Sequence, residues 1–219
     1  TAYCINLGTL ESGGSISNSG LIDVVALVSA SASASGNAYG IQVGDAAGNI
    51  ENSGNISAYA VRNVHGIYVD GTLTATIKNN GTGSSDGIFV GTDQAPTYAE
   101  GIYVDTIGDG GSITNSGQIA AYAVASSISA GATAYGINVG TLESGGSITN
   151  SGTIEASAFA SSDGSAFAYG INVKALESGG SISNSGTINV EASADASASG
   201  TAYGIYVGDV AGNIENSGN

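Results

Sequence analysis

The chain has 219 residues, with 18 carboxylates against three cations (Arg62, Lys78 and Lys174), a net charge of −15, 36 glycines, and one each of His, Pro and Cys. So few cations exclude nucleic-acid binding through phosphate neutralisation and attraction to an anionic membrane surface, and no stretch approaches the roughly 18 apolar residues of a spanning helix. Hydrophobic residues at 42% with charge at only 10% nevertheless describe an ordered chain rather than a disordered acidic one.

Read in chain order, the first expected element is a strand over Tyr3-Cys4-Ile5-Asn6-Leu7. A Gly13-Gly14 turn follows, then a short strand holding Ile16 and Asn18, a Ser-Gly turn, and a longer alternating strand. The succession then returns. The Ile of the Tyr-Gly-Ile-x-Val phrase stands at 5, 41, 67, 102, 137, 171 and 205, at gaps of 36, 26, 35, 35, 34 and 34. An Ile-x-Asn-Ser-Gly phrase keeps step, its Asn at 18, 52, 79, 115, 150, 184 and 216; the third copy reads Asn79-Asn80-Gly81. Seven linked copies identify a repeat architecture.

Period-two alternation sets its type. Tyr39, Ile41 and Val43 are expected on one strand face, Ile148 and Asn150 on one face, and Ile154 with three alanines on another. Helical repeats of similar length are poor competitors, because glycine and β-branched residues are too frequent. The expected fold is therefore all-β: a β-solenoid, or parallel β-helix, of about seven coils, one per ~34-residue repeat. Residues 1–219 are expected to form a single repeat array, a segment of a longer or polymerising solenoid. Like residues then stack on like, giving a tyrosine ladder (Tyr39, Tyr135, Tyr169, Tyr203) and an asparagine ladder (Asn18, Asn52, Asn115, Asn150, Asn184, Asn216) whose amides bond to one another.

The short unit from Ile41 to Ile67 decides between one coil per repeat and two. It lacks about eight residues of the Ala/Ser tract. That loss would break the register of two half-length coils but only shortens an arm of one. The Ala/Ser tracts at 29–35, 156–168 and 192–199 read as extensions of the third strand, with Ile188, Val190, Ala192, Ala194 and Ala196 pointing inward. Small inward residues would give a thin arm, turning back at Asp163-Gly164. In the unit from Ile67 to Ile102, Gly87-Ile88-Phe89-Val90 takes the place of the alanine strand, and Pro96 falls in the following loop.

Gly-Ser-Ile-Thr-Asn-Ser-Gly-Thr-Ile (146–154), its copies, and the Gly-Ile-x-Val strands between them resemble the repeats of bacterial autotransporter passenger domains and related secreted β-helix adhesins. The resemblance covers essentially the whole chain. It implies a β-solenoid at the bacterial cell surface or outside the cell, and it is unspecific for molecular function, because such folds carry adhesins, scaffolds and enzymes alike. Neither a signal peptide nor a C-terminal barrel is visible in the sequence.

Few residues offer chemistry. Asp45 and Asp209 lie in matching Gly-Asp-x-Ala-Gly-Asn turns, Asp105 and Asp109 flank another, and Glu11, Glu143 and Glu177 share a Leu-Glu-Ser-Gly-Gly turn. The four aspartates are the candidate Ca²⁺ ligands, but one carboxylate per coil is thin for an ion that takes six to eight oxygens, so solvated turn carboxylates are expected and no cofactor is. His65 takes the tyrosine slot with no second His or Cys for a metal, and Cys4 has no intrachain partner. Carboxylates that recur with the repeat, rather than converging at one unit, argue against an enzyme. The expected function is a structural extracellular or cell-surface scaffold. Its partners would be copies of itself, met through solenoid ends or flat faces in a filament, sheath or surface layer. The alternative is an adhesive stalk presented to host or neighbouring cells. Both readings involve no nucleic acid and no membrane-spanning segment.

Overall fold

The computed structural model describes residues 1–26, 36–81, 83, 85–91, 96–125, 130–161, 163–195 and 198–219. The tract at 29–35 and Ala196 lie outside the described residues. The first coil is β1 (Ala2–Leu10), β2 (Ser15–Asn18) and β3 (Leu21–Ala26); the second is β4 (Asn37–Ala46), β5 (Asn49–Asn52) and β6 (Asn55–Ala60). The third is β7 (Asn63–Leu73), β8 (Thr76–Asn79) and β9 (Gly87–Val90), and the fourth is β10 (Tyr98–Ile107), β11 (Ser112–Asn115) and β12 (Gln118–Ala125). The fifth and sixth are β13 (Ala132–Leu142), β14 (Ser147–Asn150), β15 (Thr153–Ala160), β16 (Ala166–Leu176), β17 (Ser181–Asn184) and β18 (Thr187–Ala194). The seventh contributes β19 (Gly200–Val210) and β20 (Asn213–Asn216).

Corresponding strands pair in parallel to form three sheets, of seven, seven and six strands, so six full turns are followed by most of a seventh. Each repeat is one coil. Register matches the sequence phrases residue for residue: Ile137 lies beside Ile171, Ile148 beside Ile182, and Ile154 beside Ile188. The short second unit loses its arm, as only Val61 and Arg62 separate β6 from β7. Its coil still closes with Ile41 beside Ile67 and Ile50 beside Ile77, and a bulge after Val43 shifts the register of β4 against β7.

Three isoleucines per coil, one from each sheet, point into the tube; in the second coil these are Ile41, Ile50 and Ile56, all fully buried. Each such side chain contributes roughly 1.5–3 kcal/mol by leaving water. The arm beyond them is lined by alanine, with Ala156, Ala158 and Ala160 of β15 facing Ala166 and Ala168 of β16, all buried. Methyl-sized side chains let the two sheets close on each other. Ile188, Val190, Ala192 and Ala194 keep the expected inward parity and are partly buried against this core. In the third coil β9 does take the alanine strand's place, pairing Ile88 with Ile56 and Ile119.

Two expectations need correction. The longest strand is not the third but the first of each coil, at 9 to 11 residues against 4 to 8 in the third sheet, because it continues through bends. The same bends break its parity. In β4, Ala38 and Ile41 both point inward and are fully buried, so alternation slips by one at Gly40. Tyr39 consequently stands on the outward face with Gln42, not on the face of Ile41 and Val43.

The bend requires glycine. A Cβ on Gly136 would lie 2.2 Å from Ile154 Cγ2 and 2.7 Å from the Gly170 carbonyl oxygen, and Gly40, Gly66, Gly101 and Gly170 meet the third-sheet isoleucine of their own coils in the same way. The isoleucine methyl occupies the space a side chain would need. At the opposite corner, Gly14 N donates to Glu11 O at 2.9 Å. Gly13 there has a φ of 82°, the left-handed value that the third position of a type II turn demands. Glu143 and Glu177 open the same turn.

Gly136→Ala should therefore lower stability by roughly 1–3 kcal/mol through overpacking. Ile154→Ala in the same chain should cost less than it does alone, since it vacates that space. Urea unfolding of the two single variants and the double variant measures this coupling, and strict additivity would contradict it.

Candidate functional site

Two side-chain rows run along the outward face of the first sheet. The inner row is Tyr3, Tyr39, His65, Glu100, Tyr135, Tyr169 and Tyr203; the outer row is Asn6, Gln42, Tyr68, Tyr103, Asn138, Asn172 and Tyr206. The expected tyrosine ladder is thus present. Ring centroids are 4.9 Å apart for Tyr135 and Tyr169 and 5.4 Å for Tyr169 and Tyr203, and Tyr39 stacks on His65 at 4.6 Å. Tyrosine is replaced twice, by His65, whose ring keeps the stack, and by Glu100, which interrupts it. Tyr98, two residues earlier on the same face, brings its ring into the break, 6.1 Å from His65 and 5.6 Å from Tyr135.

Glu100 is 1% exposed. A buried carboxylate needs partners, and three residues supply them. The Tyr98 hydroxyl donates to Oε1 at 2.6 Å, and Asn138 Nδ2 donates to the same oxygen at 2.6 Å. His65 Nδ1 lies 2.8 Å from Oε2, within ion-pair distance. Asn172 Nδ2 in turn donates to Asn138 Oδ1 at 2.7 Å. The buried acceptors Asn37 Oδ1 and Gln42 Oε1, on the same stretch of sheet, have no partner among the described residues.

The outer row changes height along the coil axis. Tyr68 and Tyr103 stack at 4.7 Å, and the next two coils carry only Asn138 and Asn172. Their amides form the floor of an open depression of about 370 Å³, walled by Tyr103 and Tyr135 and edged by Lys174. Burial, with the Glu100 charge next, pushes the Tyr98 hydroxyl far above its ordinary range. Burial also raises Tyr68 to about 12, aided by Tyr39 and Glu100, and Tyr135 to about 12, aided by Tyr169 and Glu100. These phenols stay protonated donors at neutral pH.

The second polar feature is the asparagine ladder at the corner between the second and third sheets. Nδ2 of each asparagine donates to Oδ1 of the next, from Asn18 through Asn52, Asn79, Asn115, Asn150 and Asn184 to Asn216, at 2.6–2.8 Å. Asn79, in the deviating third copy, keeps its place. A second amide proton meets the carbonyl at the corner, as in Asn79 Nδ2 to Gln118 O at 2.9 Å.

The four candidate calcium ligands are not brought together. Asp45 lies in the second coil, where Oδ1 accepts from Thr72 N at 2.9 Å; Asp105 and Asp109 lie in the fourth coil, Asp105 accepting from the Tyr103 hydroxyl at 3.3 Å; Asp209 lies in the seventh. Among the described residues no three His, Cys, Asp or Glu side chains gather in a metal-sized group. Cys4 is exposed and unpaired in the first coil. Sequence reasoning missed Glu100. The signal was present: His65 and Glu100 replace the ladder tyrosine in adjacent coils at the same register position, so an acid and a base had to meet.

No family model, curated protein or solved structure matches this chain.

Stability should fall as pH rises through the window from about 10 to about 12. The unfolded chain releases its phenolic protons near 10, while folded Tyr68 and Tyr135 hold theirs to about 12. The folded state binds more protons across that window, so stability, fully present below pH 10, is lost on going up. Denaturant midpoints should drop across that window as tyrosinate absorbance rises, and a midpoint flat to pH 12 would contradict this.

Proposed function

We propose that the chain is a structural β-solenoid rod that stacks coil upon coil, in an extracellular or cell-surface setting. The observation that carries the reading is the directional asparagine ladder. Every interior asparagine donates toward the C-terminal coil, so Asn216 presents its amide donor at one end while Asn18 keeps acceptor capacity at the other. The apolar rows run with it. Ile188, Ile205, Val207, Val210 and Ile214 line an open depression of about 400 Å³ on the last coil, and Tyr3 and Leu7 are exposed on the first. A further coil laid on either end, from the same polypeptide or another copy, continues each row in register. Unpaired strand edges favour such addition.

The chemistry fits a scaffold rather than an enzyme. Glu100 and His65, the pair with acid–base capacity, are 1% and 5% exposed and are engaged with each other at 2.8 Å. The extracellular setting rests on the resemblance of the repeats to autotransporter passengers. The adhesive-stalk reading is favoured by a different observation, the depression on the side of the rod.

Purified chain should form end-to-end oligomers in electron microscopy and light scattering, and Ile205→Lys with Ile214→Lys should return it to monomers by placing charge in the joint. A chain that stays monomeric at high concentration, or lateral aggregates indifferent to these substitutions, would sink the reading.

A further inference from the structure

We infer that the depression over Asn138 and Asn172 is a binding site for a neutral polyhydroxylated ligand, a mono- or disaccharide unit. The inference stands whether or not the rod polymerises.

The shape comes from the row itself. This register position carries a ring at Tyr68, Tyr103 and Tyr206 but a short amide at Asn138 and Asn172. Three strand spacings, about 14 Å, separate Tyr103 from Tyr206, which accommodates one or two pyranose rings. Tyr103 stacks on Tyr68 through one face only. On its other side the paired residue is Asn138, whose amide is drawn down to Glu100, so that ring face looks into the depression uncovered by another ring. An exposed aromatic face beside a floor of amides matches a sugar, which has an apolar C–H face and a polar rim.

The hydrogen-bonding inventory points the same way. Asn172 Nδ2 is committed to Asn138, while Asn172 Oδ1 accepts from no group among the described residues. Next to the depression, in the second coil, Asn37 Oδ1 and Gln42 Oε1 are buried without a partner among the described residues, and Asn63, paired with Asn37, lines the depression itself. Ligand hydroxyls both donate and accept, so they can serve the Asn172 oxygen and the tyrosine hydroxyls that line the depression.

Charge narrows the class. Glu100 lies beneath the floor and Asp105 beside Tyr103, disfavouring an anion; Lys174 at the edge disfavours a cation. Neither sign dominates, which leaves a neutral ligand.

The test is NMR titration of tyrosine-labelled protein with glucose, galactose, mannose, N-acetylglucosamine, cellobiose and diacetylchitobiose, with tetramethylammonium chloride and sodium phosphate as charged comparisons. At least one saccharide should shift the Tyr103 and Tyr135 ring signals at millimolar concentration. Asn172→Tyr fills the floor with a side chain this row already accepts in three other coils; it should stay folded and lose the shifts. Tyr103→Leu should weaken binding at least about fivefold, the worth of one stacking contact. The proposal is overturned if no saccharide perturbs these rings, if a charged probe does so in preference, or if folded Asn172→Tyr binds as the parent does.

Discussion

Every coil hands one amide proton to the next. In the interior of the asparagine ladder each side chain accepts from the coil before it, donates to the coil after it, and spends its second proton on a carbonyl where the backbone turns from the second sheet into the third. A fully buried amide costs free energy unless satisfied, and here it is satisfied only when the neighbouring coils sit in register with the same residue. The ladder therefore does two things at once. It turns the corner, and it penalises any slip of one coil against the next, which the neighbouring isoleucine rows would tolerate more readily because dispersion has no direction.

The glycine bends depend on that registry. Gly136 can be approached by an Ile154 methyl only because the third sheet is held at a fixed height against the first. This close approach turns the tube wall and throws the preceding tyrosine outward. From this follow the two outward rows, and from their irregularities follows the only chemically varied surface described. A repeat structure makes each position a row, so a single substitution is a break in a row rather than an isolated change. Glu100 breaks the tyrosine row, Tyr98 refills it, and His65 and Asn138 meet the buried charge. Asn138 and Asn172 then break the outer row and leave it hollow.

Much of the architecture was legible because period and pattern report on stacking directly. The coil count, one coil per repeat, the asparagine ladder, the alanine-lined arm and the substitute strand at Gly87–Val90 all follow from residues that recur at fixed spacing. Tyrosine's facing was not legible. Strict alternation puts Tyr39 beside Ile41, and nothing local says that Gly40 absorbs a bend; the cause is the methyl of Ile56, sixteen residues on. Glu100 was missed for the opposite reason: it does not recur, so periodicity does not flag it, and only its register position beside His65 in the neighbouring coil gives it meaning. Of the four aspartates expected in turns only Asp109 lies between strands; Asp45, Asp105 and Asp209 fall within β4, β10 and β19, because the first strand of each coil runs further than its sequence phrase suggests.

The central claim is that inter-coil amide bonding, rather than strand pairing and apolar stacking alone, holds the coils in register. Denaturant unfolding of Asn115→Ala beside Thr114→Ala tests it most directly. The two residues are neighbours on β11, with Asn115 fully buried and Thr114 half-exposed. Asn115→Ala strands the donor of Asn79 and the acceptor of Asn150, and should cost about 3–5 kcal/mol. Thr114→Ala, which leaves the ladder whole, should cost less than about 1 kcal/mol. Equal and small losses in the two variants would contradict the account.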